Sequence, residues 1–311
     1  MNSEHEILQQ VLIVGCGDIG VRVARLVQQG GGHVSALARS SESAERLCSF
    51  AIEPFMGNLD DANSLVDLPS AGALVFYLAP PPGGGTVDSR MRNFCAANSA
   101  QKLPARVVYM STSGVYGDCG GAWVTEATPV NPQTSRAQRR VDAESTLLEW
   151  GRLHGVPVII LRVTGIYGPG RLPLARIRQG HPVLREEDAP PTNRIHADDL
   201  AMVCVKAAGQ AVDGDIFNVS DGQPGTMTEY FNAISDLLDL PRLPQVDMAE
   251  ARQVMNPMML SYLTEARRMS NRKVVEQLGV ALVYPDLAAG LKNVVAQLDQ
   301  PNMGYLGSVG H

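Results

Sequence analysis

The chain has 311 residues, 45% of them apolar, and a formal charge of −6 from 26 Lys and Arg against 32 Asp and Glu. That length supports one large domain or two modest ones, and the dispersed acidic balance argues against a nucleic-acid groove or an anionic membrane surface as partner. No apolar run reaches the roughly 18 residues of a membrane span, and the five cysteines, an odd number without paired spacing, suggest neither a disulfide framework nor a metal site.

Met1 to Gln10 carries Glu4 and Glu6 and lacks the basic-then-apolar layout of a secretion signal, so the expectation is a reduced, cytoplasmic protein. Val11 to Val14 is a short apolar run, the mark of a strand buried on both faces. Gly15-Cys16-Gly17-Asp18-Ile19-Gly20 follows, and then Val21 to Gln29 with apolar residues at helical spacing. Strand, G-x-G-x-x-G and helix form the context in which that pattern binds a dinucleotide. Gly15 permits the tight turn, Gly17 lets a pyrophosphate approach the backbone, and Gly20 lets the helix pack on the strand. The amides at Asp18 and Ile19 then belong to a helix N-terminus whose dipole favours phosphate. Cys16 reads as a small packed side chain.

His33 to Ala38 reads as the second strand. An NAD site wants an acid at its end to hold the ribose 2′-hydroxyl. Here the run continues Arg39-Ser40 with no acid before Glu42, which suits a 2′-phosphate, so NADP(H) is favoured over NAD. Ser43 to Phe50 reads as a helix and Ala51 to Met56 as a third strand. Asn58, Leu59 and Asp60 stand in a turn that either approaches the adenine or caps itself. Ala73 to Leu78 is the fourth strand. After Leu78, the run Ala79-Pro80-Pro81-Pro82-Gly83-Gly84-Gly85 cannot continue a strand. It lies on the side of the glycine turn and covers the cofactor, or else is a flexible link. Ser89 to Ser99 is a helix and Arg106 to Met110 a fifth strand. The alternation implies an α/β fold, a Rossmann-type doubly wound parallel sheet.

The fifth strand runs into Ser111-Thr112-Ser113-Gly114-Val115-Tyr116-Gly117-Asp118. This segment resembles the S-T-x-x-V-Y-G-D of extended short-chain dehydrogenases, the epimerase/dehydratase group acting on nucleotide sugars. Glu126, Pro129, Asn131 and Pro132 resemble that family's E-x-x-P-x-N-P. Leu161-Arg162 through Tyr167-Gly168-Pro169-Gly170 resembles its L-R-x-x-x-x-Y-G-P-G, and Arg194 to Asp199 its R-x-I-H-V-x-D. Ile216 to Gly222 and Gly279 to Pro285 complete a likeness spanning roughly residues 10 to 295. The resemblance places Ser111 beside the cofactor, Thr112 at the substrate-orienting hydroxyl, and Tyr116 near substrate and nicotinamide. Tyr167 and His196, from the later blocks, are candidates for the substrate side.

The family carries Tyr-x-x-x-Lys at the start of the next helix, four residues before a Glu. Counted back from Glu144, those positions hold Arg136 and Arg140. Residues four apart share a helix face, so both point at the cofactor. Arg140 can hold ribose hydroxyls, but Arg136 cannot replace a phenol as acid or base, because guanidinium stays protonated. The chain therefore resembles atypical short-chain dehydrogenases that keep the cofactor fold and lose the dyad. The two positive charges suggest that an anionic group sits there.

Asp198 and Asp199 read as caps of a helix over Leu200 to Ala208. Beyond Pro169, Arg171, Arg176, Arg178 and Arg185 interrupt a Pro/Gly-containing stretch, and in the resembling enzymes this lobe grips the substrate. Helices are expected from Gly225 to Leu238, Arg272 to Leu278 and Leu287 to Leu298, a Met-rich stretch (Met248, Met255, Met258, Met259) between them, and a loose tail from Pro301 to His311. Residues 1–168, with 193–220 returning to the sheet, are expected to form the dinucleotide-binding core. Residues 169–192 and 221–311 form a small substrate lobe. The resembling enzymes pair through the two helices that here are Ser89 to Ser99 and Ala137 to Leu153, which implies a homodimer. Two functions stay open: an NADP(H)-dependent oxidoreductase or epimerase acting on a small or nucleotide-sugar substrate, or a non-catalytic dinucleotide-binding regulatory or redox-sensing protein.

Overall fold

Strand β1 (Gln10–Val14) lies between β2 (His33–Ala38) and β4 (Leu74–Tyr77), and from that centre the sheet grows both ways. Adding β3 (Glu53–Met56), β5 (Arg106–Thr112), β6 (Val158–Val163) and β7 (Ile216–Val219) gives the order β7-β6-β5-β4-β1-β2-β3. All seven strands run parallel. The reversal of strand order beside β1 opens a crevice at the carboxyl ends, where open α/β sheets bind ligands. The computed structural model describes residues 7–98, 102–256, 259–260 and 263–298. Residues 1–6, Ser99, Met258 and the expected tail over 301–311 lie outside the described residues.

The apolar strands are buried on both faces because helices cover both. Leu12 and Val14 of β1 point to one face, with Tyr77, Phe94, Leu147 and Trp150. Val11 and Ile13 point to the other, with Val23, Leu47, Leu200 and Cys204. Helices α3 (Ser89–Ala97) and α4 (Ser135–His154) cover the first face; α1 (Asp18–Gln29), α2 (Ser41–Cys48) and α5 (Ala197–Gln210) cover the second. Each fully buried large aliphatic or aromatic side chain contributes about 1.5–3 kcal/mol.

The cap of α5 differs from expectation. The His196 imidazole Nδ1 accepts from the Asp198 amide at 3.2 Å and is the N-cap. Asp199 instead accepts from the amides of Val283 and Tyr284 at 2.8 and 2.9 Å, pinning a distant loop. Asp198 pairs with Arg22 of α1.

Past β6 the chain leaves the sheet. Gly165–Tyr167 pairs with Arg194–His196, Pro191–Thr192 with Gly225–Thr226, and Val183–Leu184 with Gln245–Val246. The helix Met227–Leu237 begins in a capping box of Thr226 and Glu229. Its Tyr230, Phe231 and Ile234 pack with Tyr167, Ile177 and Leu291 in a separate apolar cluster over the sheet's carboxyl edge. Among the described residues no helix is long and apolar enough to cross a membrane.

Candidate cofactor and substrate cleft

Gly15 turns the chain out of β1 at φ +94°, and a Cβ there would stand 2.4 Å from the Ala79 amide nitrogen. Only glycine meets both the conformation and the approach. Gly17 is the opposite case: a Cβ would meet no atom within 4 Å, so its outer face is open. It caps α1 without any side-chain hydrogen bond, leaving the first-turn amides available. The Asp18 carboxylate is neutralised by Arg22 at 3.0 Å and Arg171 at 3.1 Å. An open glycine face, an uncapped helix N-terminus and a neutralised acid fit a dinucleotide pyrophosphate. Burial pushes the Cys16 thiol up to about 12, so it is a packed neutral group. Arg46, which the motif reading passed over, donates to the Cys16 carbonyl at 2.7 Å.

Arg39 and Ser40 stand exposed at the end of β2. The Ser40 hydroxyl forms the capping box of α2 with Ser43, so its local hydrogen bonds are structural. The turn after β3 caps itself: Asn58 Oδ1 accepts from the Asp60 amide at 3.0 Å. Arg90 clamps Asp60 through two bonds of 2.7 Å and reaches the Pro80 carbonyl at 3.1 Å. That clamp pulls the Asp60 carboxyl below its usual range. Leu59 is buried in the core and its carbonyl takes Asn93. The Leu78 amide donates to Val14 at 2.7 Å, and Ala79 backs the glycine turn.

Past that turn the cleft widens into a cavity of about 690 Å³. One wall is Pro80 to Gly83, Thr112 to Gly114, and the first turns of α4; the other is the lobe from Gly165 through Phe231. Seven arginines line it, at positions 136, 139, 140, 171, 176, 194 and 267, with one acid among the described lining residues, Glu265. Arg136 and Arg140, one turn apart on α4, both face it. Arg140 is anchored to the Met110 carbonyl at 2.9 Å and the Tyr109 hydroxyl at 3.1 Å. Arg176 stacks over Phe231 and Arg194 over Tyr230, each at 4.8 Å. Burial lowers the pKa of both arginines. An excess of desolvated guanidinium favours an anionic occupant.

Several residues expected at the site are placed elsewhere. The Tyr116 ring is 1% exposed, and its hydroxyl donates to Asn218 at 2.8 Å and accepts from Arg162 at 3.0 Å. Ser111 donates to Glu144 at 2.5 Å, and Glu144 pairs with Arg162 at 2.7 Å. The two therefore belong to a buried polar network that ties β5, β6, β7 and α4 together, not to the cleft. His196 is fully buried between Tyr167 and Tyr284, and burial lowers its pKa to about 4. It is a structural cap and not a substrate group. Tyr167 does line the cavity, but its hydroxyl bonds the Asp286 carbonyl at 3.2 Å, and burial raises its pKa. Thr112 lines the cavity, its Oγ1 accepting from the Gly114 amide at 3.2 Å. Arg171 reaches the cavity as well as Asp18, whereas Arg185 stands away from it, beside Asp247 at 3.9 Å.

Arg139, Tyr230, Glu265 and Arg267 were not assigned by the sequence reading. Arg139 is one residue from the arginine that was. Glu265 and Arg267 arrive through the pairing of Trp123–Val124 with Arg268–Met269, two residues per strand, which carries no periodic signal.

The description of the NAD dependent epimerase/dehydratase family matches residues 11–220. Protein YeeZ of Escherichia coli strain K12 is 25% identical over 287 residues, 90% of this chain and 97% of that protein. A functionally unknown conserved protein from Silicibacter pomeroyi DSS superposes with a TM-score of 0.78 at 29% identity, covering 93% of this chain and 99% of its own. MoeE5 in complex with UDP-glucose and NAD shares the fold at a TM-score of 0.73 and 21% identity, over 93% of this chain and 98% of its own.

Proposed function

The chain belongs to the NAD dependent epimerase/dehydratase family, and from that premise we propose an NADP(H)-dependent oxidoreductase or epimerase that acts on a small anionic substrate. In this reading Arg136 and Arg140 stand where the family's tyrosine and lysine would be. The observation that carries it is the cavity beside the glycine turn, lined by seven arginines and one acid.

A nicotinamide dinucleotide bound along the carboxyl edge supplies hydride exchange. The rest falls to this chain's own groups. The amides after Gly17 hold the pyrophosphate, and Arg39 forks onto a 2′-phosphate. The Pro80–Gly83 run screens the cleft from water. Arg136 and Arg171 hold the anionic end of the substrate, and the Thr112 hydroxyl orients its reacting oxygen. The homodimer implied by α3 and α4 is part of the same proposal, and light scattering at micromolar concentration tests it.

Fluorescence titration with NADPH and NADH comes first, followed by NADPH oxidation with phosphorylated and carboxylated carbonyl compounds and by UDP-glucose with NADP. Tight NADPH binding with turnover of an anionic compound is expected. Binding without turnover by any of them supports the regulatory alternative instead.

A further inference from the structure

With Arg136 permanently charged, the cavity needs another group to exchange the substrate's proton. Arginines cannot do it. Burial pushes the Tyr230 phenol up to about 12 and raises Tyr167 as well, so neither accepts a proton near neutral pH. The imidazole of His196 and the phenol of Tyr116 do not line the cavity. That leaves one carboxylate among the described lining residues, Glu265.

Its setting is unusual for a structural ion pair. Glu265 is 8% exposed and Arg267 9%. Oε2 is held by Arg267 Nη1 at 3.2 Å, and Arg267 is in turn fixed on the Gly117 carbonyl at 2.8 Å and reaches Ser113 Oγ at 3.5 Å. Oε1 is buried and has no hydrogen-bond partner. A buried carboxylate oxygen left unsatisfied costs on the order of 1–3 kcal/mol or more. Here that oxygen belongs to a residue lining a cavity whose other charged groups are all donors. Arg267 engages only one of its two oxygens, so the carboxylate keeps acceptor capacity that a donor on the occupant can use. Ser113 follows Thr112, so the carboxylate stands at the same end of the cleft as the orienting hydroxyl.

We propose that Glu265 is the catalytic carboxylate of this site, accepting the proton of a substrate hydroxyl and returning it in reverse, with Arg267 as its positioning residue. On oxidation the O–H bond breaks and its proton passes to Glu265. The C–H hydrogen leaves with its electron pair to the oxidised dinucleotide, and C=O forms; reduction reverses each transfer. The proposal rests on the anionic-substrate reading and narrows its substrate class to anions that carry a hydroxyl or the matching carbonyl.

Glycerol 3-phosphate is a probe with both features, inorganic phosphate has the charge alone, and dihydroxyacetone phosphate is the matching carbonyl. Calorimetry on wild type should show glycerol 3-phosphate bound about tenfold more tightly than phosphate. Glu265→Ala should erase that advantage without weakening phosphate. Glu265→Gln, whose amide oxygen still accepts a hydrogen bond, should keep binding within about threefold. It should still slow NADPH oxidation by dihydroxyacetone phosphate about a hundredfold, the scale of general acid–base catalysis. NADPH affinity should stay within about twofold in both variants. A wild-type advantage that survives Glu265→Ala, equal binding of the two phosphates by wild type, or a Gln variant as fast as wild type each overturns the proposal. In the first and third outcomes the anionic-substrate reading stands. Phosphate binding unaffected by Arg136→Ala removes that reading separately.

Discussion

The glycine-turn wall of the cleft is built from backbone, and the lobe wall from side chains. At the turn, Gly15, Gly17 and the uncapped start of α1 present amides whose positions follow from the chain path itself. Across the cleft, Arg176 and Arg194 are set by stacking on Phe231 and Tyr230, which are buried among residues scattered from 167 to 291. The first kind of site tolerates change in most side chains but not in a few glycines. The second tolerates backbone change but depends on each charged group having its partner.

The largest expected effect lies beneath both walls. Arg162→Ala leaves Glu144 buried and uncompensated, which should cost about 3–5 kcal/mol in urea unfolding. A loss below about 1 kcal/mol would mean that the Ser111–Glu144–Arg162–Tyr116 network does not hold the sheet to α4. On the backbone wall, Gly15→Ala combines a strained φ with a backbone clash and should cost about 2–3 kcal/mol. NADPH binding should be lost even where the variant remains folded.

At the mouth, Arg39→Ala should weaken NADPH by about 1.5–3 kcal/mol and leave NADH unchanged. Equal cofactor affinities in wild type would remove the 2′-phosphate assignment. Among the cavity's side chains, Arg136→Ala on α4 should lower inorganic phosphate affinity roughly tenfold and cost less stability than Gly15→Ala. That contrast with Gly15→Ala separates binding built from backbone from binding built from side chains.

The last effect is a pH slope, small in wild type because two groups oppose each other. His196 is depressed from 6.5 to about 4, so the unfolded chain binds the extra proton, and stability falls as pH drops from 6.5 to 4. Asp221 is raised from 3.8 to about 6 by burial, so its contribution is full below 3.8 and is lost as pH rises through 6. The two slopes oppose each other between pH 4 and 6. Asp221→Asn should therefore unmask an acid-side loss approaching about 1.4 kcal/mol per pH unit. An unchanged slope in urea titrations at pH 4.5, 5.5 and 6.5 would show that these groups do not titrate as assigned.

Local signals fixed the sheet. Strand His33–Ala38 and helices Arg272–Leu278 and Leu287–Leu298 match their sequence limits, because their apolar period and bounding turn residues act within a few positions. The glycine turn is legible for the same reason: strand, turn and helix are contiguous. Residues read by analogy of position fared differently. Tyr116 and His196 sit inside recognisable blocks, yet the side of the strand or turn on which each falls depends on what packs there.

The sequence by itself therefore determined the α/β alternation, the place of the dinucleotide turn and the arginine pair on α4, all carried by neighbours in the chain. Only the tertiary structure decided which polar side chains face the cleft. It buried Ser111 and Tyr116 in the Glu144–Arg162 network, turned His196 into a cap, and brought Glu265 and Arg267 to the cavity. Burial and pairing of polar groups depend on contacts across a hundred or more residues, such as Tyr116 with Asn218 and Arg267 with Gly117, and no local pattern encodes them.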